Sequence, residues 1–408
     1  MVSKLQSNIW KITVSDILYR FGVIGAIYIL YFNYLGYNFQ YIGLYEGITS
    51  LTIVASDLFT GVIADRLGRK NSVLLSNFAF FIMAILLGVT SWISSGLLVI
   101  LIVCGILNGL EFSFRSGARQ ALLYDTLIQL NQERDYLKIS GRINAFGIIS
   151  TVVGMGVGGA LFELMPSLPY WIWSGFILVS SIVLFTVQEP SFEKSENKSS
   201  FWEDVKNGVK FIFQSKTLLW LIVFFLFADV FAESYWDIYS QAHLESLGAP
   251  VFYVGITFAV ISGVCAIASY FIDKIEKIIG EKWMLYGIIG IQVAMFISIA
   301  WVRTWIGLGG ILIIFNINRN FTWLLSDTYR NKLIPSEHRA SILSAASFLN
   351  NGIFGGGIII WLMGWLIDRV EISILFTIIA LCVILINGSL LLVRERQKRR
   401  KLSSNNVE

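Results

Sequence analysis

Gly61-Val62-Ile63-Ala64-Asp65-Arg66-Leu67-Gly68-Arg69-Lys70 is a compact charged string set between two long apolar stretches. Gly61 permits a close approach of helices, Gly68 permits a tight turn, and Asp65 stands where it can pair with Arg69 or with a neighbouring helix end. The flanking stretches, at about residues 40 to 64 and 71 to 92, each approach the roughly 20 residues a helix needs to cross hydrocarbon. Lipid offers no partner to an unpaired amide, so helices and not strands must carry them.

The same pattern repeats outward along the chain. Further spans fall at about residues 12 to 35, 97 to 118, 142 to 163 and 168 to 187, and then, after a polar interruption, at about 217 to 239, 251 to 272, 283 to 302, 305 to 326, 341 to 367 and 372 to 393. This predicts an all-α integral membrane protein of about twelve transmembrane helices in two pseudo-symmetric six-helix bundles. The expected domains are 1–187, a linker over 188–216, 217–393, and a basic tail over 394–408. A composition with 56% hydrophobic and only 14% charged residues excludes a single water-facing core. Within the linker, Phe201, Val205, Val209 and Phe213 recur at helical spacing beside Lys206 and Lys210, the pattern of an interfacial amphipathic helix.

The net charge of +4 acquires its meaning from position. With both termini placed in the cytoplasm, the basic residues of the short connections gather on that side, from Lys4 and Lys11 through Arg66, Arg69 and Lys70 to the tail, while Arg303 and Arg369 fall outside. The excess is a topology signal for a multi-pass cell-membrane protein and requires no nucleic acid. Cys104, Cys265 and Cys382 sit in apolar stretches without metal-ligand or disulfide spacing. No P-loop, HExxH or Cys/His nucleophile pattern supports an enzyme, a metal or a cofactor. His243 and His338 lie in loops and are expected to be solvated.

The halves also resemble each other. Leu123-Tyr124-Asp125-Thr126 ends the fourth span and Leu325-Ser326-Asp327-Thr328 the tenth; Gly159 to Glu163 ends the fifth and Gly364 to Asp368 the eleventh.

The string from Gly61 to Lys70 resembles the major facilitator signature GxxxDRxGR[RK] at every defined position, in the expected loop. The resemblance implies a gate latch carried by Gly61, Asp65, Arg66, Gly68, Arg69 and Lys70, holding the halves closed on the cytoplasmic side. Just upstream, Asp57 to Gly61 is similar to the acidic-x-Pro-Thr-Gly string of bacterial members, with Phe59 in place of proline. In the fifth span, Ser150 to Gly159 resembles the antiporter signature GxxxGPxxGG. Gly154, Gly158 and Gly159 are retained, whereas Ser150 replaces the first glycine and Met155 the proline. Small residues at this spacing also serve plain helix packing. The resemblance favours export.

Ionisable residues inside apolar spans are costly and so are functional candidates. Glu111, Arg115 and Arg119 share one helical face and can form a self-neutralising ladder, Arg119 alternatively snorkelling to the surface. The family's fourth helix often carries an arginine linked to proton transfer, and Arg115 matches it best in placement. Asp229, Glu233 and Asp237 repeat at the same interval with no basic residue nearby in sequence; Asp229 and Glu233 are the first proton-site candidates, with Glu111 and Asp16 after them. Asp16 and Arg20 are one turn apart and are expected to pair. Arg319, without a local partner, is a substrate or relay candidate together with Arg20 and Arg115, and Tyr235 and Trp323 are candidates to line an apolar pocket.

These residues lead to a secondary transporter, with a small-molecule substrate, protons and the lipid bilayer as partners, expected to act as a monomer. The leading expectation is proton-coupled export of small amphipathic compounds by alternating access. The alternative is uptake of a nutrient, and the third is a non-transporting receptor or scaffold.

Overall fold

A computed structural model describes residues 2–93, 97–190, 201–334, 342 and 357–405; within them, the side chains of 2–4, 57–59, 61–66, 201–205, 207–208 and 397–405 are not described. Helices stand where the apolar stretches do. The first half consists of α1 (Val2–Tyr19), α2 (Tyr28–Tyr34), α3 (Phe39–Leu67), α4 (Arg69–Thr90), α5 (Leu97–Arg115), α6 (Ala118–Gln129), α7 (Tyr136–Leu164) and α8 (Leu168–Phe185). Helix α9 (Phe201–Gln214) covers the segment expected to be amphipathic. The second half follows as α10 (Lys216–Ile238), α11 (Ser240–Ser246), α12 (Val251–Tyr270), α13 (Ile272–Ile279), α14 (Glu281–Trp301), α15 (Trp305–Leu333), α16 (Ile358–Ile367) and α17 (Ile372–Asn405).

Local chemistry sets the joints between these elements. Gly68 and Gly117 take positive φ values of 99° and 75° at the starts of α4 and α6, a region closed to most side chains. Ser215 and Thr304 cap α10 and α15 by accepting from the Leu218 and Gly307 amides. The stretch expected to be a basic tail instead continues α17 as helix to Asn405. Arg394 pairs with Glu281 and Lys282 with Glu395, tying this extension to the start of α14.

Large apolar side chains face outward along the helices, with Phe78 61%, Ile182 59% and Leu385 70% exposed, as suits a lipid solvent. Among the described residues the two bundles meet chiefly along two seams, α3 with α16 and α7 with α12, with smaller contacts of α10 with α3 and α11 with α2. Both seams lie at the ends of the helices remote from the chain termini. Toward the terminal face the first turns of α7 stand free, Leu137 being 83% and Phe146 52% exposed.

Candidate functional site

The sequence predicts one continuous first span, but the helix is broken. Between Tyr19 and Tyr28 the chain leaves the α-helical ladder, and amides make short bonds such as Gly22 N–H to Arg20 carbonyl at 2.6 Å and Gly25 N–H to Gly22 carbonyl at 3.0 Å. Side chains from three other helices take over the freed backbone groups. Ser150 Oγ donates to the Ile17 carbonyl, Thr151 Oγ1 to that of Arg20, and Trp173 Nε1 to that of Tyr19. From the other half, Gln241 clasps the restart: its Nε2 donates to the Gly25 carbonyl and its Oε1 accepts from the Ile29 amide, both at 3.0 Å. Unwound backbone at membrane depth is tolerated only where protein satisfies it, and such breaks mark binding sites in transporters.

Beside the break lies a cavity of about 220 Å³, lined among others by Tyr28, Tyr45, Glu46, Asn108, Tyr170 and Trp173. Glu46, which lines this cavity, was passed over in sequence, although a carboxylate inside an apolar span is part of the signal that singled out Asp229 and Glu233. A larger groove of about 560 Å³ between α4 and α8 is lined by Leu74, Phe78, Leu178 and Phe185 and holds no ionisable group, so it belongs to the lipid-facing surface.

On the opposite side of this region, α10 presents its carboxylates. Arg319, without a charged partner nearby in sequence, pairs with the remote Glu233, donates Nε to Asn316 Oδ1 at 3.1 Å, and lies over the Trp236 ring at 4.9 Å. Asp229 and Asp237 also act on Arg319, and both Asp237 and Glu233 lie within electrostatic reach of Glu46. Tyr28 Oη donates to the Asp237 carbonyl, joining the restarted helix to α10. Three carboxylates of α10 therefore surround the Arg319 guanidinium, and Glu46 of the other half faces two of them.

Tyr235 is fully buried and bonds through its hydroxyl to His243 Nδ1 at 3.2 Å. It belongs to the core of the second half. His243, expected to be solvated, is only 5% exposed, and burial pushes its imidazole down to about 4. His338 lies outside the described residues. Trp323 is 57% exposed, one turn from Arg319 toward the terminal face.

A second charged centre lies in the first half. Asp16, 1% exposed, pairs as expected with Arg20 at 3.1 Å, but it also receives Arg115 at 2.9 Å and Arg119 at 2.6 Å. The ladder expected along the fourth span is not formed. Arg115 and Arg119 turn away to Asp16, and Arg115 stacks 3.3 Å from the Tyr19 ring centroid. Glu111 accepts from the Tyr19 hydroxyl and from Ser76 Oγ instead. Helical spacing makes a neighbour available; here a buried carboxylate on another helix is the stronger partner.

At the terminal face, the end of the charged string is held within the first half. The Lys70 amide donates to Glu189, Lys70 Nζ to the Val187 carbonyl at 3.1 Å, and Arg69 approaches Asp125 at 3.7 Å. Burial raises the Glu189 carboxyl above its ordinary value, opposed by the Lys70 and Arg69 amides and charges. The side chains of Asp65 and Arg66, and the surroundings of Gly61, are not described, so the latch expected there has no described geometry.

Of the motif glycines of the fifth span, Gly159 lies on the remote seam, while Gly154 and Gly158 pack inside the first half. A methyl group added at Gly158 would stand 2.0 Å from the Val23 carbonyl oxygen, and one at Gly154 2.9 Å from the Gly22 nitrogen, both on the broken first helix. Gly159 faces the start of α12 in the same way, 2.5 Å from the Val251 carbonyl oxygen. At the ends of the two seams, the residues noted as counterparts in sequence do the same work. Glu163, after α7's glycines, accepts from the Phe252 amide of α12 at 2.9 Å. Asp368, after α16, accepts from the Phe39 and Gln40 amides of α3 at 3.1 and 2.8 Å. Each carboxylate caps a helix of the other half, favourable for both hydrogen bonding and the helix dipole. Losing a cap costs about 1 kcal/mol. Asp368→Ala is accordingly expected to shift the remote gate about five-fold toward its open form, read as faster labelling of a cysteine placed at Gln40; unchanged labelling would remove the cap from the gate.

Comparison with known proteins agrees with this architecture. The family model described as Major Facilitator Superfamily matches residues 12–358. The chain is similar to the lactose permease of Klebsiella oxytoca, 26% identical over 162 residues covering 38% of this chain and 36% of that protein. It is also similar to the melibiose permease of Enterobacter cloacae, 28% identical over 183 residues covering 39% and 40%. It thus spans about two fifths of the length of these curated relatives. Among solved structures, the nucleoside transporter NupG superposes with a TM-score of 0.77 at 15% identity, covering 94% of this chain and 98% of that one. A bacterial homologue of the iron transporter ferroportin, in an inward-facing state, gives 0.71 at 14% identity, covering 95% and 98%. With a helical two-bundle fold, a broken first helix at a polar cavity and a family match over most of its length, this chain belongs to the Major Facilitator Superfamily.

Proposed function

We propose that this transporter imports a small hydroxylated solute together with protons, by alternating access of the two bundles around the cavity at Glu46. Cavity size carries the reading. At about 220 Å³ it falls below the roughly 300–1,000 Å³ of sites for drug-sized ligands. Its wall combines aromatic faces from Tyr45, Tyr170 and Trp173 with the carboxylate of Glu46 and the amide of Asn108. Aromatic planes take the apolar faces of a ring-shaped solute, and the carboxylate and amide bind its hydroxyls. A site built to hydrogen-bond a hydroxyl rejects analogues that lack it. The names of the lactose, melibiose and raffinose permeases point the same way.

Protons enter this mechanism through Glu233, Asp237 and Glu46. Three mutually close carboxylates beside one guanidinium at membrane depth cannot all remain charged at low cost, so one of them takes a proton and releases it when the site opens to the other face. Asp16 is not assigned this role, because guanidinium groups occupy both of its oxygens. Export, the leading expectation from sequence, rests on the glycine motif, and those glycines are accounted for by packing against Val23 and Val251.

In proteoliposomes with an imposed pH gradient, saccharides or nucleosides are expected to move protons inward with them. Lipophilic cations that move protons outward, with saccharides and nucleosides silent, would reverse the reading to export. Glu233→Gln is expected to lower gradient-driven accumulation at least ten-fold while leaving solute exchange across the membrane in place. Equal losses of accumulation and exchange would make Glu233 a binding residue and not a coupling one.

A further inference from the structure

The charge around Asp16 does not balance. Arg20, Arg115 and Arg119 converge on this one carboxylate, which leaves two positive charges in surplus. Counting Glu111 as ionised still leaves one. Such a surplus inside a membrane protein is costly unless an anion shares the site or water reaches it.

Donor geometry shows where an anion fits. Arg115 spends Nη2 on Asp16 and Nη1 on Asn77. Arg20 places Nε 3.1 Å from Asp16 and gives Nη1 to Asn144 Oδ1 at 3.0 Å, and Arg119 gives Nη2 to Asp16 with its Nε 2.6 Å from that carboxylate. Among the described residues, Arg20 Nη2 and Arg119 Nη1 carry no such bond. The two side chains are 28% and 17% exposed, beside the exposed stretch of α7 that includes Asn144. With its Oδ1 taken by Arg20, Asn144 has its Nδ2 left to donate. Arg119 also lies in the first turn of α6, whose N-cap, Gly117, offers no side chain to the free amides and has open space before it. Guanidinium forks and free helix amides are the donors that suit oxyanions.

We propose that Arg20, Arg119 and Asn144 form an oxyanion site, open toward the terminal face and taking a carboxylate or phosphate group. It goes beyond the cavity reading, since an anion binds here whatever solute the cavity carries. The site is separated from that cavity by Tyr19, whose carbonyl receives Trp173 and whose ring packs 6.0 Å from Phe80. An acid group borne by the solute and a free inorganic anion are both chemically suited to it.

The test uses the full chain in detergent, with labelled inorganic phosphate in equilibrium dialysis at constant ionic strength set by chloride. Saturable binding is expected, weakened at least ten-fold in Arg119→Gln and largely restored in Arg119→Lys. Because Arg119→Gln removes a surplus charge, it should fold; Arg20→Gln provides a second variant with the same expected loss. Absence of saturable binding, or equal binding in wild type and both glutamine variants, would overturn the site. Proteoliposome uptake then distinguishes the sources. Accumulation of a hexuronate that phosphate inhibits assigns the oxyanion to the solute, whereas phosphate binding without any effect on uptake assigns a free anion.

Discussion

Asp16→Asn is expected to be among the most damaging single substitutions in the chain. It leaves Arg20, Arg115 and Arg119 facing one another around a neutral amide in a site that is 1% exposed at its centre. Removing one partner of a buried ion pair typically costs about 3–5 kcal/mol, because the remaining charge is uncompensated. Here the remaining charges also repel, and Arg115 is pinned over the Tyr19 ring. The substitution should lower the melting temperature of the detergent-purified protein and abolish transport, with Asp16→Glu recovering most of the stability. A melting curve indistinguishable from wild type would mean that water, and not Asp16, balances the arginines.

Alanine at Gly158 or Gly364 is expected to abolish transport by a different route. The added methyl group would stand 2.0 Å from the Val23 carbonyl oxygen or 2.1 Å from that of Phe39. Those atoms are backbone, so the clash cannot be relieved by a rotamer change; overpacking ordinarily costs about 1–3 kcal/mol, and backbone contact at this distance demands that whole helices move apart. Gly364 packs α16 against α3, and Gly158 packs α7 against the broken first helix. Gly364 lies on the seam between the halves and Gly158 inside the first half beside it, so the expected result is an inserted protein whose remote side cannot close. Cysteines placed along that seam should label faster in both variants, while insertion and yield remain. Normal uptake by Gly158→Ala would show that the seam has slack not visible in this conformation.

Much of the architecture was legible because lipid enforces it. A run such as Leu97 to Gly109 has few alternatives to a membrane helix, and the small residues of the fifth span announced a close contact before its partner was known. Even the pairing of Glu163 with Asp368 as counterparts was visible as a weak repeat. What the sequence could not disclose was contact between remote segments. Periodicity places Arg115 beside Glu111, but its main partner is Asp16, 99 residues away. Arg319 read as solitary because Glu233 is 86 residues distant. The break at residues 20–27 was hidden for a related reason: Gly22 and Gly25 are unremarkable in an apolar run until Gln241, Ser150 and Thr151 arrive to replace the lost helical bonds. Glu46 was different, since its signal was present and was passed over.

Most polar clasps of the remote seam end on main chain, the bond from Arg369 Nη1 to Gln40 Oε1 being an exception. Glu163, Asp368 and Gln241 bind the amides of Phe252, Phe39, Gln40 and Ile29, and the carbonyl of Gly25, without touching any side chain there. These main-chain bonds survive substitution at residues 39, 40 and 252, proline excepted, because proline alone lacks the amide hydrogen, whereas the contacts of the Phe39 ring with Tyr239 and of Gln40 Oε1 with Arg369 do not. Side chains at the rim of the remote seam, such as that of residue 252, can therefore vary between descendants while these closing bonds pass on unchanged.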